Sequence, residues 1–258
     1  MEHSQKPLMI ELFAGLHGWG EGALAEGWRV VGFDIVDMCR FIGKPKPGGD
    51  LQLVLQNVLT LHGKQFKDAA LIVCSPPCQE FSYMAMPWSR AKAIEAEYLA
   101  GTRDKAKLTA LFDACFRIQR EACEAAGRYI PMVVENVRGA QKWVGRARWM
   151  YGSFALYGDV PALMPIAYGA QKFNHIKVPS ANGRRTDVGN GARFTSRDCG
   201  IEGVKNGMDW VGSGTDCSLQ RRTGSKSSAR KAASAVIAKI PFALARYIAA
   251  HYKPTEAA

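Results

Sequence analysis

No apolar run in this chain approaches the eighteen or so residues that a membrane helix needs, so no membrane role is expected. The opening stretch MEHSQKPLMIELF lacks a basic segment followed by an apolar one, which argues against a secretory signal. The seven cysteines are an odd number and form no CxxC or CxxH pair. A disulfide scaffold and a structural zinc site are therefore disfavoured, no metal is expected, and a reducing cytoplasm suits the chain. Internal repeats are missing too. So is the G-x-G-x-x-G fingerprint of a pyrophosphate-binding turn, which disfavours a Rossmann oxidoreductase.

What remains is ordinary globular material. The 258 residues are 47% hydrophobic and 22% charged, enough for one large domain or one domain with a small companion. The net charge of +11 is unevenly spread. From residue 166 onward there are 15 Lys and Arg against 6 Asp and Glu, whereas the preceding residues carry 19 against 17. A basic C-terminal third suggests a polyanion partner; a solvated basic surface is the plainer reading.

Along the chain, LMIELF reads as a buried strand, AGLHGWGEGALAEG as a turn into a helix, and WRVVGFDI as a second strand ending in acid. DAALIVCS and YIPMVVENV are further strands, and KLTALFDACFRIQREACEAAG is an amphipathic helix stopping at Gly127. This alternation predicts a doubly wound α/β fold with a parallel sheet, whose chemistry lies beyond the C-terminal strand ends. Residues 166–229 are rich in Gly, Ser, Asn, Arg and Lys, and ASAVIAKIPFALARYIAAHY returns to helical texture. The expected organisation is a sheet domain, 1–165 with 230–258, interrupted by a small basic region, 166–229.

Gly15, Gly18, Gly20 and Gly22 follow the first strand directly. They either bring the backbone close to a ligand or allow tight packing. Asp34 ends the second strand, where an acid can accept from ribose hydroxyls, so a nucleoside cofactor without a pyrophosphate, such as S-adenosylmethionine, suits both features. In LIVCSPPCQEFS, Ser75, Pro76 and Pro77 place Cys78 on a stiff turn after a strand. A thiol attacks as thiolate, and a helix start there would lower its pKa. Cys39, Cys74, Cys115, Cys123, Cys199 and Cys217 read as packing. In PMVVENVRG, Glu135 and Asn136 end an apolar strand. Desolvation would raise the Glu135 pKa and let it donate a proton; pairing with Arg138 or Arg103 is the alternative.

FAGLHGWGEG, SPPCQEFS and VVENVRG, in this order, resemble the signature blocks of the DNA cytosine carbon-5 methyltransferase family, and the chain is similar to its compact bacteriophage and prophage members. The resemblance covers residues 8 to about 165 and, weakly, IAKIPFALARYIA. It implies a fold of the S-adenosylmethionine-dependent methyltransferase type, with a mostly parallel sheet and helices on both faces. It implies that Cys78, flanked by Gln79, adds to cytosine carbon-6, that Glu135 protonates or hydrogen-bonds ring nitrogen N3, and that Asn136 holds the Pro-Cys loop. Phe13, Ala14, Gly15, Gly18 and Pro76 match the cofactor-binding blocks, Asp34 the acid on the ribose, and Ile35 the residue beside the adenine. Asn57 stands where the family usually has an Asp. The implied substrate is double-stranded DNA with a flipped base, handled by a monomer in the cytoplasm of a bacterial cell, phage-encoded or not.

Two features depart from the family. Its Gln-x-Arg-x-Arg element has no counterpart, leaving Arg184, Arg185, Arg193 and Arg197 as candidates for that role, and residues 166–229 are few for a target-recognition region. Between Glu80 and Asp104, Ser82, Arg90, Lys92 and Arg103 are candidates to meet phosphates; an ordinary charged surface helix is the other reading. Two further readings stay open: a transferase acting on RNA cytosine or a modified pyrimidine, and a non-catalytic nucleic-acid-binding protein on this fold.

Overall fold

The computed structural model describes residues 6–43, 48–78, 81, 88–165, 231, 235–236 and 238–255. The basic region 166–229, with Arg184, Arg185, Arg193 and Arg197, lies outside them. So do Gln79, Ser82 and the side chain of Arg90.

Seven strands form one sheet: β1 (Leu8–Leu12), β2 (Arg29–Asp34), β3 (Leu51–Leu55), β4 (Leu71–Cys74), β5 (Met132–Val137), β6 (Trp149–Tyr151) and β7 (Phe154–Gly158). Their order is β3-β2-β1-β4-β5-β7-β6. The first five run parallel, and β7 joins β5 antiparallel. The fold is thus the mixed α/β class with a mostly parallel sheet that the sequence and the resemblance predict. Two details differ from the expectation. β3 was not legible as a strand, because this edge strand buries only Leu51 and Leu53 and exposes the rest. The β6–β7 hairpin adds an antiparallel end to a sheet expected to be parallel, through strands too short to show a period.

Alternation along the strands sends residues to two cores. Met9, Val30, Leu71, Val73 and Val133 pack with Trp19 of α1 (Gly18–Ala25) and with Leu244, Ala245 and Ile248. Ile10, Leu12, Ile72, Cys74, Met132 and Val134 pack on the other face against Phe112, Cys115, Ile118 and Ala122. Those last four belong to α3 (Lys105–Ala126), where a spacing of three and four residues makes one apolar stripe. Asp104 caps that helix by accepting from Ala106 N at 2.9 Å, and Gly127 ends it in the left-handed region at φ 63°. Two further helices are α2 (Trp88–Leu99), which follows β4 in the chain, and the single turn α4 (Gln141–Val144), which follows β5.

The last helix, α5 (Phe242–Tyr252), lies against α1, as the return of helical texture suggested. Glycine makes the approach possible. A Cβ on Gly22 would sit 2.4 Å from Arg246 N, and one on Gly18 would sit 2.6 Å from Ile240 N.

Candidate active site

Two clusters form at the C-terminal ends of the parallel strands. The first is the turn between β1 and α1. Phe13, Gly15 and His17 all have left-handed backbone, at φ 58°, 53° and 56°. Two carboxylates hold this unusual path. Asp34 Oδ2 accepts from Gly15 N at 2.9 Å, and its Oδ1 accepts from Val36 N at 3.2 Å. Glu11, 1% exposed, reaches under the turn: it accepts from Trp19 N at 3.1 Å, Gly20 N at 3.3 Å and His17 Nδ1 at 2.9 Å. A carboxylate at the first amides of a helix satisfies otherwise orphaned donors and meets the positive end of the helix dipole. His17 is as buried as Glu11, and its Nε2 has no partner among the described residues.

This geometry sorts the four glycines. Gly18, expected in the cofactor turn, spends its missing side chain on Ile240, and Gly22 does the same for α5. Gly20 is needed because a Cβ there would come within 3.0 Å of Glu11 Oε2. Packing therefore explains three of them. Gly15 is different: among the described residues a Cβ there would find nothing nearer than Phe13 O at 4.0 Å, so none of them fills the space beside its turn. Ala14 is buried, and Ile35, beyond Asp34, is 69% exposed. Asn57 is exposed, and its side-chain oxygen accepts from Leu59 N at 3.0 Å, capping a short 3-10 turn.

The second cluster is the thiol loop after β4. Ser75 N donates to Leu12 O at 3.1 Å, which continues the sheet ladder by one residue. Asn136, fully buried on β5, donates from Nδ2 to Pro76 O at 3.0 Å and accepts from Val137 N at 2.8 Å. Trp19 Nε1 donates to Ser75 Oγ at 3.0 Å, tying the loop to α1. Beyond the half-buried Cys78, Phe81 N donates to Cys78 O at 3.0 Å, and the Phe81 ring is buried with Tyr98, Leu108 and Ala140. The thiol loop is thus anchored on both sides. The stretch in which a helix start was expected to follow Cys78, residues 79–80 and 82–87, lies outside the described residues.

Glu135 precedes Asn136 on β5, is 3% exposed and pairs in register with Leu156 of β7. Its neighbour Tyr157 feels it: burial first, and the Glu135 charge second, push the Tyr157 hydroxyl up to about 12. Arg103, weighed as a partner for Glu135 or for phosphate, turns to Glu97 on α2 and sits over the Tyr98 ring. Lys92 lies within 3.7 Å of Glu95 on its own helix. The charged-surface-helix reading describes both. The packing cysteines behave as expected where described: Cys39, Cys74 and Cys115 are buried, and burial, with a hydrogen bond to Cys115, raises the Cys74 pKa. Cys123 accepts from Ile130 N at 3.2 Å.

Sequence reasoning passed over Glu11, His17, Trp19 and Phe81, and the bond that Ser75 makes. Glu11 carried a signal, since an acid inside an apolar strand must find partners once buried. Trp19 and Ser75 carried none, because they are 56 residues apart and meet only in the fold. Among the described residues no cluster of three metal-ligating side chains occurs, and no helix is long and apolar enough to cross a membrane.

Fold and site together define an α/β sheet protein with a glycine turn beside an acid and, at the end of the neighbouring strand, a thiol loop tied to an acid-bearing strand. No family model matches the chain, and no curated protein does. Among solved structures, a DNA modification methyltransferase encoded within an E. coli prophage is 21% identical, with a TM-score of 0.36 over 52% of this chain and 33% of that one. The Dnmt2 methyltransferase of S. pombe is 16% identical, with a TM-score of 0.33 over 55% of this chain and 37% of that one. The methyltransferase EhMeth of Entamoeba histolytica is 17% identical, with a TM-score of 0.33 over 55% and 41%. The chain therefore spans between a third and two fifths of these proteins. Overlaps this partial carry no functional weight, which rests on the residues.

Proposed function

We propose that the protein is an S-adenosylmethionine-dependent DNA cytosine-5 methyltransferase. The observation that carries this reading is the hydrogen bond from Asn136 to Pro76 O, which joins the loop bearing Cys78 to the strand bearing Glu135. A nucleophile and an acid on adjacent strand ends, locked to each other by a buried amide, suit an addition that needs both at one ring. The order of the blocks in the sequence supports the same reading.

The β1–β2 edge suits the cofactor. The space beside Gly15 that no described residue fills, the Asp34 carboxylate and the exposed Ile35 lie together at adjacent strand ends, so Phe13, Ala14, Gly15, Asp34 and Ile35 would hold a nucleoside group. When bound, S-adenosylmethionine supplies an electrophilic methyl group to carbon-5. The chain's own residues do the rest. Cys78 as thiolate adds to carbon-6 of a flipped cytosine, forming a C–S bond and pushing electron density toward carbon-5 and N3. Glu135 offers a proton or hydrogen bond at N3, so the ring does not carry full negative charge. After methylation a base removes the carbon-5 proton, the carbon-5–carbon-6 double bond reforms, and the thiolate leaves. Asn136 and Ser75 hold the loop while this happens. Residues 166–229, with Arg184, Arg185, Arg193 and Arg197, are proposed to read the DNA. A monomer in a bacterial cytoplasm completes the proposal.

Duplex DNA in which cytosine is replaced by 5-fluorocytosine tests it. Fluorine cannot leave as a proton does, so the wild type with cofactor should form a covalent adduct visible by denaturing gel, and Cys78→Ala should form none. Absence of an adduct on every cytosine context of a random-sequence duplex contradicts the proposal. An adduct on the matching RNA and none on DNA moves the substrate to RNA.

A further inference from the structure

A cavity of about 910 Å³ lies away from both strand-end clusters, between α3, α4 and the β6–β7 hairpin. Four arginines line it: Arg117 and Arg120 from α3, and Arg146 and Arg148 from the segment leading into β6. Asp113 is the acid on the same wall, and its Oδ2 already accepts from Thr109 Oγ1 at 2.6 Å. Arg117 is held internally by Glu121 and by Leu61 O. Arg120, Arg146 and Arg148 are exposed and have no carboxylate partner among the described residues. Three unpaired guanidinium groups around one concavity are unexpected in a part of the chain whose charges nearly balance. They repel one another unless an anion comes between them.

The floor between them is aromatic. Phe116 and Trp143 are half-buried there, and Tyr157 contributes a ring whose hydroxyl is buried with no partner among the described residues. Guanidinium forks match phosphate oxygens, and exposed ring faces accept bases by stacking. A carboxylate-bearing partner would satisfy the arginines but has no use for the rings. The groove is built on elements that adjoin those carrying the candidate site. α4 follows β5 almost directly, and Tyr157 pairs with Val134, one residue from Glu135, on the neighbouring strand.

We infer that this groove binds the sugar–phosphate backbone of a nucleic-acid strand, as a second track beside the thiol loop. The inference rests on the nucleic-acid substrate proposed above but not on methyl transfer. Arg120, Arg146 and Arg148 take phosphates, and Phe116 and Trp143 take the bases of the same strand.

Fluorescence anisotropy with an oligonucleotide duplex and a single strand, both of adenine and thymine only, measures this from 50 to 300 mM KCl. Such probes contain no cytosine, so failure of the methyltransferase proposal leaves the reading intact. Replacing Arg120, Arg146 and Arg148 together by alanine should lower the slope of log K against log salt by about 2–3, since each phosphate contact contributes about 0.9 on a duplex and 0.7 on a single strand. Affinity at 100 mM should fall at least tenfold. The triple lysine variant should recover most of the slope, because a point charge still displaces counterions. A charge-matched control, Lys6→Ala with Arg29→Ala and Lys253→Ala around the starts of β1 and β2 and the end of α5, should leave both quantities nearly unchanged. Equal losses in the control and groove variants, or an unchanged slope in the groove variant, overturn the inference. So does loss of binding to inorganic triphosphate with polymer binding intact, which makes the groove a small-anion site.

Discussion

The two strand-end clusters are built from different chemistry. Charge holds the β1–α1 turn: Asp34 and Glu11 together accept from four backbone amides and one imidazole. Neutral groups hold the thiol loop: an amide to a carbonyl, an indole to a hydroxyl, and two prolines. Charge-assisted bonds are shorter and roughly twice as strong as neutral ones, and they bind a strained backbone firmly. Neutral bonds contribute about 1 kcal/mol each and leave the local electrostatics alone. The difference suits the work proposed for each. A turn with three left-handed residues needs a strong anchor, whereas a loop that presents a nucleophile to an electron-poor ring gains nothing from a carboxylate beside the thiol. The clusters are not independent, because Trp19 belongs to both: its amide is held by Glu11 and its indole holds Ser75.

Breaking the charged anchor should therefore cost folding, and breaking a neutral one should cost activity. Glu11→Ala has the largest expected effect. It strips a buried carboxylate from three donors, including the equally buried His17, and should lower stability by about 3–5 kcal/mol in urea unfolding. Asn136→Ala comes next. It orphans the buried Pro76 carbonyl, costing about 1–3 kcal/mol, and should abolish most adduct formation with 5-fluorocytosine DNA while equilibrium cofactor binding stays within about twofold. Trp19→Phe keeps the ring in its core and removes one hydrogen bond, so its stability cost should be about 1 kcal/mol. If the indole couples the clusters, the rate of adduct formation should drop about tenfold with little change in cofactor affinity. An unchanged rate means that Ser75 is held well enough by its own amide.

The smallest effect at neutral pH belongs to Tyr157→Phe. The buried hydroxyl has no partner among the described residues, so its removal should be neutral or slightly stabilising at pH 7. At high pH the sign is defined. Tyrosine ionises near 10 in the unfolded chain and at about 12 in the fold, so the stability conferred by keeping this hydroxyl protonated is complete below pH 10 and is lost as pH rises through 12. Thermal melts from pH 9 to 12 should show a shallower alkaline decline in the variant, by on the order of 1 kcal/mol at the top of the range. Tyr252, also raised to about 12, first by burial and then by Asp159, leaves a residual decline in both proteins.

Much of the sheet was legible because its central strands are continuous apolar runs ended by polar residues, and because α3 has a clean stripe, a capping Asp104 and a terminal Gly127. β3 and the β6–β7 hairpin were not legible, being half-exposed or only a few residues long. Within the site, Cys78, Glu135 and Asn136 stood out as polar groups at the ends of apolar strands. The glycines stayed ambiguous: sequence alone cannot say whether a missing side chain makes room for a ligand or for another backbone.

By itself, then, the sequence determined the mostly parallel sheet and the residues at its strand ends, since hydrophobic period and chain order are local quantities. Tertiary structure decided the rest. It gave Gly18 to the packing of Ile240 and Gly22 to that of α5, placed Glu11 beneath the turn, and joined Trp19 to Ser75 and Asn136 to Pro76 across some sixty residues. Contacts of that kind depend on which strands become neighbours, and strand order is settled only when the two cores close on the sheet.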